Sequence, residues 1–329
     1  MTHGVTACPP GLTTSWVQSG VYLPLVLTPE APGQINFEAT LDWVKAHEEW
    51  LNGALPQHGG ILFRGLPIKS PDQFKILVAA IDSKMLPYTM GQSPRNRVLD
   101  KVYTSTEFPA NQRITLHNEM SYTNNPPRRI FFYCDTPSAV DGETPIADCR
   151  TIYQKLDPSI REAFETKQVR YVRNMHGSTG FGKSWQQQFE TDSKAVVEAH
   201  LKQNQVDYVW QEDGGLHTFQ IVPGIVQHPE TGEKVWHSQA HLFHYTNQGS
   251  SGEAMLKYLG EDKLPTNAYF GDGSPIPVEA LDTVRRLLWD QATFFTWQQG
   301  DVLMLDNYSV CHGRNTFEGE RRILVAMTS

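Results

Sequence analysis

Two imidazoles and one carboxylate, spread along the chain, carry the chemistry this sequence could perform. The first pair lies in the run Arg113-Ile-Thr-Leu-His-Asn-Glu-Met-Ser121. Read as a β-strand, the run alternates: Thr115, His117, Glu119 and Ser121 share one face, while Ile114, Leu116 and Met120 share the other. Only Asn118 breaks the apolar set. A histidine and a glutamate two places apart on one strand face would form two adjacent corners of a metal site. The third corner is expected at His312, which the pair Arg321-Arg322 follows. Two histidines and one carboxylate, with coordination positions left open, are the ligand set of non-haem Fe(II) oxygenases.

The triplet alone is weak, because His47-Glu48-Glu49 and His228-Pro229-Glu230 have the same form. The first falls in an amphipathic helical pattern, where residues two apart diverge, and the second in a proline turn. His117-Asn118-Glu119 has strand context, although a core histidine bonded to a neighbouring carboxylate has the same pattern. His237, His241 and His244 form a rival cluster if helical, but no glutamate follows His237 as a zinc-protease helix requires. Between Asp301 and Arg322 a hairpin would lay the strand beginning at Arg321-Arg322 beside the one bearing His312. One guanidinium would then face the interior, where its planar fork suits a dicarboxylate. Two surface charges on an edge strand remain the alternative.

The elements that must position these groups read as mainly β with flanking helices. Residues 1–35 look like an irregular arm holding one apolar piece, Val21 to Leu27. Phe37, Leu41, Val44 and Leu51 fall at helical spacing, Gly59-Gly60 opens a short buried strand to Gly65, and Ser70-Pro71 starts a second helix. Further helical patterns surround Ile160–Thr166, Ala195–Leu201 and Leu281–Leu288; strands are expected at Leu216–Val222, Thr296–Gln298, Val302–Leu305, Val310–His312 and Ile323–Met327. Short strands at both ends with helices between fit an α+β chain with a double-stranded β-helix (jelly-roll) core. No repeat or linker divides it. The expectation is one domain, 1–329, with roughly 177–275 elaborating the barrel mouth.

Composition narrows the class. With 39% hydrophobic and 19% charged residues over 329 positions, the chain can bury a sizeable core. A formal charge of −8 argues against nucleic acid or an anionic membrane as partner. Four cysteines without CxxC spacing point to a reducing, cytoplasmic setting. Oligomeric state is left open, a homo-oligomer included.

Taken together, these residues resemble the Fe(II)/2-oxoglutarate-dependent dioxygenases of the taurine-dioxygenase and clavaminate-synthase-like superfamily. The match runs from Gly59-Gly60-Ile61-Leu62-Phe63-Arg64-Gly65 onward, through Leu116-His117-Asn118-Glu119-Met120-Ser121-Tyr122, Gly142-Glu143-Thr144-Pro145-Ile146-Ala147-Asp148, Tyr269 to Ser274, Trp297 to Asp301 and His312-Gly313-Arg314. It is closest to the amino-acid hydroxylases of nonribosomal-peptide clusters, such as syringomycin-type aspartyl β-hydroxylases. The resemblance implies His117, Glu119 and His312 as iron ligands, with 2-oxoglutarate and O2 as co-substrates. Thr144 would hydrogen-bond 2-oxoglutarate, and Arg322 would grip its distal carboxylate. Related halogenases lack the carboxylate ligand, so Glu119 implies oxygenation. His237 departs from the family pattern, which has an aromatic residue there.

The implied substrate is an amino acid, free or tethered to a peptidyl carrier protein, hydroxylated at an unactivated carbon. Arg113 and Arg314, near the ligands in sequence, are candidates for pairing with its carboxylate, and Phe181 and Trp185 for a lid; ordinary salt bridging and packing are the plainer alternatives. Desaturation, epoxidation or cyclisation would use the same cofactors, and a non-catalytic metal-binding jelly roll would use only the ligands.

Overall fold

The computed structural model of the protein describes residues 7–88, 91, 95–106 and 108–329. Its frame is an eight-stranded sheet, in spatial order Leu12–Trp16, Leu25–Pro29, Gly60–Phe63, Val302–Asp306, Arg129–Thr136, Arg322–Thr328, Val102–Thr104 and Arg97–Leu99. Within it Leu25–Pro29 and Gly60–Phe63 run parallel and the other neighbours antiparallel. Facing it is a three-stranded sheet of Ile114–His117, Val310–Arg314 and Ile146–Asp148. Val26, Leu62, Phe132, Leu303 and Val325 of the large sheet meet Ile146 and Val310 of the small one in a core between them. The expected jelly roll is what forms.

The far face of the large sheet is also apolar. Leu27, Phe63, Phe131, Tyr133 and Met304 pack beneath the helices Phe37–Ala46, Glu48–His58 and Pro71–Ile81. Strand side chains alternate between faces, so a strand covered on both is apolar through its length, as Val302, Leu303, Met304 and Leu305 are before the buried Asp306. The single helix expected from Phe37 to Leu51 is two, separated at His47, whose φ of −120° and ψ of 28° end the first. Asn36 caps the first helix by accepting from the Ala39 amide, and Ser70 caps Pro71–Ile81 by accepting from Gln73.

Three other expectations change. The arm expected over 1–35 contains two paired strands, Leu12–Trp16 and Leu25–Pro29, whose alternation is short but real; residues 1–6 lie outside the described set. Thr296–Gln298 is irregular, although Trp297 is buried in the inner core. The region after 177 contributes to a second, four-stranded sheet, ordered Asp207–Trp210, Leu216–Val222, Val169–Met175 and Thr266–Phe270, which begins upstream at Val169.

The rival histidines serve packing. His237 stacks on Tyr308 with the rings 5.0 Å apart and 8° from parallel. The His241 Nε2–H donates to the Leu116 carbonyl at 3.0 Å, propping the strand that carries His117. His244 caps the turn at Thr246. Burial pushes their pKa values down to about 4, 3 and 4, respectively. In the unfolded chain each titrates near its ordinary value, so below roughly pH 6.5 the unfolded state takes protons that the folded state refuses. Stability of the metal-free protein is therefore expected to fall as pH drops from about 7 to about 5, by on the order of 2 kcal/mol per histidine. Urea midpoints across that range check it; a flat profile would contradict burial of neutral imidazoles.

Candidate active site

His117 ends the Ile114–His117 strand and lies opposite His312 of Val310–Arg314, with ring centroids 4.6 Å apart. Gly313 allows this approach, because a Cβ there would stand 2.5 Å from the Ile114 carbonyl oxygen. The His117 Nδ1–H donates to the Thr115 carbonyl at 2.9 Å, which leaves the Nε2 lone pair free.

Glu119 does not share a strand face with His117. The strand stops at His117, and Glu119 sits in a turn followed by Met120 at a φ of 53°. The residue that broke the alternation is the cause. Asn118 is fully buried, donating its side-chain amide to the Asn307 carbonyl at 2.8 Å, while Gln239 donates to the Asn118 carbonyl at 2.6 Å. The Asn307 side chain then clamps the next peptide. Its Oδ1 accepts the Glu119 N–H at 2.7 Å, and its Nδ2 donates to the carbonyls of Glu119 and Pro127 at 2.9 and 2.8 Å. Nothing in the sequence marked Asn307 for this task beyond a polar residue in a turn before His312.

The turn still brings the carboxylate home. Glu119 Oε2 is 3.7 Å from His312 Nε2, and the ligand atoms of His117, Glu119 and His312 all lie within 4.8 Å of one another. Donors about 2 Å from one ion sit roughly 3–4 Å apart, so the set has the right span for a metal. Its chemistry fits too. Burial, assisted by His117 and Arg95, lowers the His312 pKa well below its ordinary value; burial also lowers His117, against the pull of Glu119. Both rings are thereby held neutral, as metal ligation requires. His312 Nδ1 is buried without a protein partner.

A cavity of about 30 Å³ adjoins the cluster, lined by Arg95, His117, Phe132, Thr144, His312 and Arg321 among others. It shares Ser105, Thr106, Arg314 and Arg321 with an outer groove of about 340 Å³. Here the expected arginine is corrected. Arg321 faces the cavity, donating to the Gly142 carbonyl at 2.8 Å and lying 3.3 Å from Thr144 Oγ1. Arg322 turns the other way, to Asp135 at 2.6 Å, with its side chain 41% exposed. Parity explains it: Ile323, Val325 and Met327 fill the inner core, and Arg321 is in step with them, whereas Arg322 is in step with Leu324 and Ala326 beneath the helices. Thr144 is buried and also accepts from Trp297 Nε1 at 3.1 Å. Burial and neighbouring Arg314 lower the Arg321 pKa to about 10, which still leaves it charged at neutral pH.

The remaining candidates scatter. Arg314 lines the cavity, but its guanidinium is spent on the carbonyls of Phe108, Pro109 and Gln112. Arg113 donates to Asn315 and lies over Trp289, away from the cavity. Trp185 is buried edge-on against Trp210, and Phe181, 54% exposed, lines a separate cavity of about 790 Å³ on the Arg170 and Asn174 side of the four-stranded sheet. That larger cavity shares no lining residue with the cluster. The residue sequence reasoning missed is Arg95. It lies over the Tyr88 ring at 4.0 Å and pairs with Glu119 Oε2 at 2.7 Å, in a polar stretch that reads as ordinary loop.

Comparison with known proteins shows the family to which the chain belongs. A family model described as "Taurine catabolism dioxygenase TauD, TfdA family" matches residues 22–328. The dapdiamide synthesis protein DdaC of Enterobacter agglomerans is 38% identical over 291 residues, 88% of each chain. A clavaminate synthase-like protein of Arabidopsis thaliana is 32% identical over 296 residues, 86% of each chain. Among solved structures, PvcB of Pseudomonas aeruginosa superposes with a TM-score of 0.56 at 16% identity, covering 98% of this chain and 93% of its own. A taurine dioxygenase of Burkholderia xenovorans gives 0.55 at 15% identity, covering 97% and 89%.

The Asn307 clamp yields a prediction. Asn307→Ala orphans the buried Glu119 amide and two carbonyls, and is expected to lower unfolding stability by about 2–3 kcal/mol. By releasing the peptide that carries the carboxylate, it is also expected to weaken Mn(II) binding on the order of 10–100-fold. Wild-type stability and Mn(II) affinity in that variant would remove Asn307 from the site.

Proposed function

Because the chain belongs to the TauD/TfdA family of Fe(II)- and 2-oxoglutarate-dependent dioxygenases, we propose that it hydroxylates an unactivated C–H bond of an amino acid or amino-acid-derived substrate in natural-product biosynthesis. The observation that carries the reading is the convergence of His117, Glu119 and His312 beside a cavity whose wall presents Arg321 and Thr144. The likeness to a protein of dapdiamide synthesis supports the biosynthetic setting.

In this reading His117, Glu119 and His312 hold Fe(II). Bound iron would supply the oxidising chemistry, coupling reduction of O2 to decarboxylation of 2-oxoglutarate into succinate and CO2. The protein's residues do the rest. Arg321 grips the distal carboxylate of 2-oxoglutarate as a buried, permanently charged fork, and Thr144 adds a hydroxyl beside it. Phe132, 4.9 Å from the His312 ring, keeps water from that side of the ligand. Asn307 and the Thr115 carbonyl fix the orientation of Glu119 and His117. Positioning of the target C–H decides between hydroxylation and desaturation, epoxidation or ring closure.

We read the chain as one dioxygenase domain over 1–329, with roughly 177–275 elaborating the barrel mouth; the family match over 22–328 supports that unity. Among the described residues no helix is long and apolar enough to cross a membrane, and a cytoplasmic setting is proposed from the four unpaired cysteines.

Two outcomes test the site. Arg321→Ala is expected to weaken 2-oxoglutarate binding about 10–100-fold, whereas Arg322→Ala changes it little; titration of 2-oxoglutarate into Mn(II)-loaded protein under argon reads this, and the reverse ranking would return the role to Arg322. Glu119→Ala is expected to abolish substrate-stimulated succinate formation, measured under air with Fe(II) and candidate amino acids. Product mass separates the chemistries, since hydroxylation adds an oxygen and desaturation removes a pair of hydrogens. If no amino acid or carrier-bound amino acid raises succinate output in the wild type, a non-catalytic metal-binding barrel becomes the better account.

A further inference from the structure

Arg95 is a charged residue of the cavity whose chemistry the roles above leave unused. Its side chain is 4% exposed, in a cavity it shares with His117, His312 and Arg321. One guanidinium nitrogen, Nη2, reaches Glu119 Oε2 at 2.7 Å. The others, Nε and Nη1, are buried with no acceptor among the described residues. The plane of the group is fixed by the Tyr88 face 4.0 Å away. Nε–H and Nη1–H leave different edges of a guanidinium, so a carboxylate gripped at two points would take one of them together with the second hydrogen of Nη2, and this buried cation has that capacity left over beside Glu119.

The same oxygen, Glu119 Oε2, faces both Arg95 and His312. A divalent cation held by His117, Glu119 and His312 would compete for that oxygen and weaken the hold of Glu119 on Arg95, whose one anionic partner among the described residues it is. The cavity would then hold the guanidinium groups of Arg95 and Arg321 in one lining, each with a different neighbour. Arg321 stands beside Thr144, and Arg95 stands beside Glu119. One suits the co-substrate; the other calls for a second anion.

We propose that Arg95 is the specificity residue for the substrate, binding a free carboxylate on it, so that the protein takes a small amino-acid-class carboxylic acid rather than one masked as a carrier thioester. The proposal rests on the reading of His117, Glu119 and His312 as the metal site. It also makes loading ordered: the cation frees the fork, and the fork then receives the acid.

The test is calorimetric titration under argon. Wild-type protein is first titrated with Mn(II) and then with 2-oxoglutarate. Into that complex the common L-amino acids and their methyl esters are titrated in turn. The expected result is binding of at least one free acid, with its ester at least tenfold weaker. Arg95→Ala is expected to lose that preference at least tenfold while binding 2-oxoglutarate as the wild type does, and Arg95→Lys, which keeps the charge but not the fork, to fall between. Esters binding as well as acids, or no acid binding at all, overturns the proposal. A loss in Arg95→Ala confined to 2-oxoglutarate assigns Arg95 to the co-substrate and overturns it as well. Failure of Mn(II) or 2-oxoglutarate to bind wild-type protein overturns the metal-site reading at the first step, before any amino acid is added. If Arg95→Ala does not fold, the acid–ester comparison on wild-type protein decides alone.

Discussion

The site depends on one amide. Asn307 holds the peptide of Glu119 from both sides, accepting its N–H and donating to its carbonyl, in a place closed to water. Without that clamp the carboxylate would ride on a turn with a left-handed Met120 and no ladder to define it. The two histidines, by contrast, are fixed by strand register, which costs nothing extra once the small sheet forms. The difference explains why a buried asparagine pair, Asn118 and Asn307, occupies positions that an apolar core would otherwise fill. Their hydrogen bonds are worth only about 1 kcal/mol each in net stability, but leaving any partner unsatisfied costs more than making the bond gains. The network therefore specifies geometry more than it stabilises.

Electrostatically the cavity is lopsided. Its described lining includes Arg95, Arg314 and Arg321 and no acidic side chain. Arg314 is held in place by three carbonyls, which are neutral, so its charge adds to that of the other two in the field of the pocket. In a chain whose formal charge is −8, this concentration of positive charge is local and purposeful. It draws anions into a place that the overall charge would repel.

Much of this was legible in the sequence, and the exceptions share a cause. The jelly roll and the meeting of His117, Glu119 and His312 are legible in residue type and pattern, while the place of Thr144 beside the cavity is legible only through the family resemblance. Arg321 could have been chosen over Arg322 by the same parity rule, had the rule been anchored on Ile323, Val325 and Met327 rather than on the resemblance alone. Residue chemistry points to Glu119 but alternation does not place it, because the strand ends at His117 and the buried Asn118 breaks the pattern. Arg95 and Asn307 were invisible: each acts through a partner remote in sequence, and a single chain carries no sign of which loop residues will meet across a core. Phe181 and Trp185 show the opposite error, where an aromatic, glycine-rich stretch suggested a lid and packs elsewhere.

The register that joins His117 to His312 has a consequence for biogenesis. The strand carrying His312 enters the sheet beside one laid down far earlier, and Val302–Asp306 and Arg322–Thr328 flank Arg129–Thr136 in the frame on which the small sheet rests. A nascent polypeptide still lacking its last strands presents at most a histidine and a carboxylate, too few to retain ferrous ion against competing cellular chelators. A polypeptide ending before Val310 therefore lacks both the third side chain of the cluster and the strand that lays it beside His117.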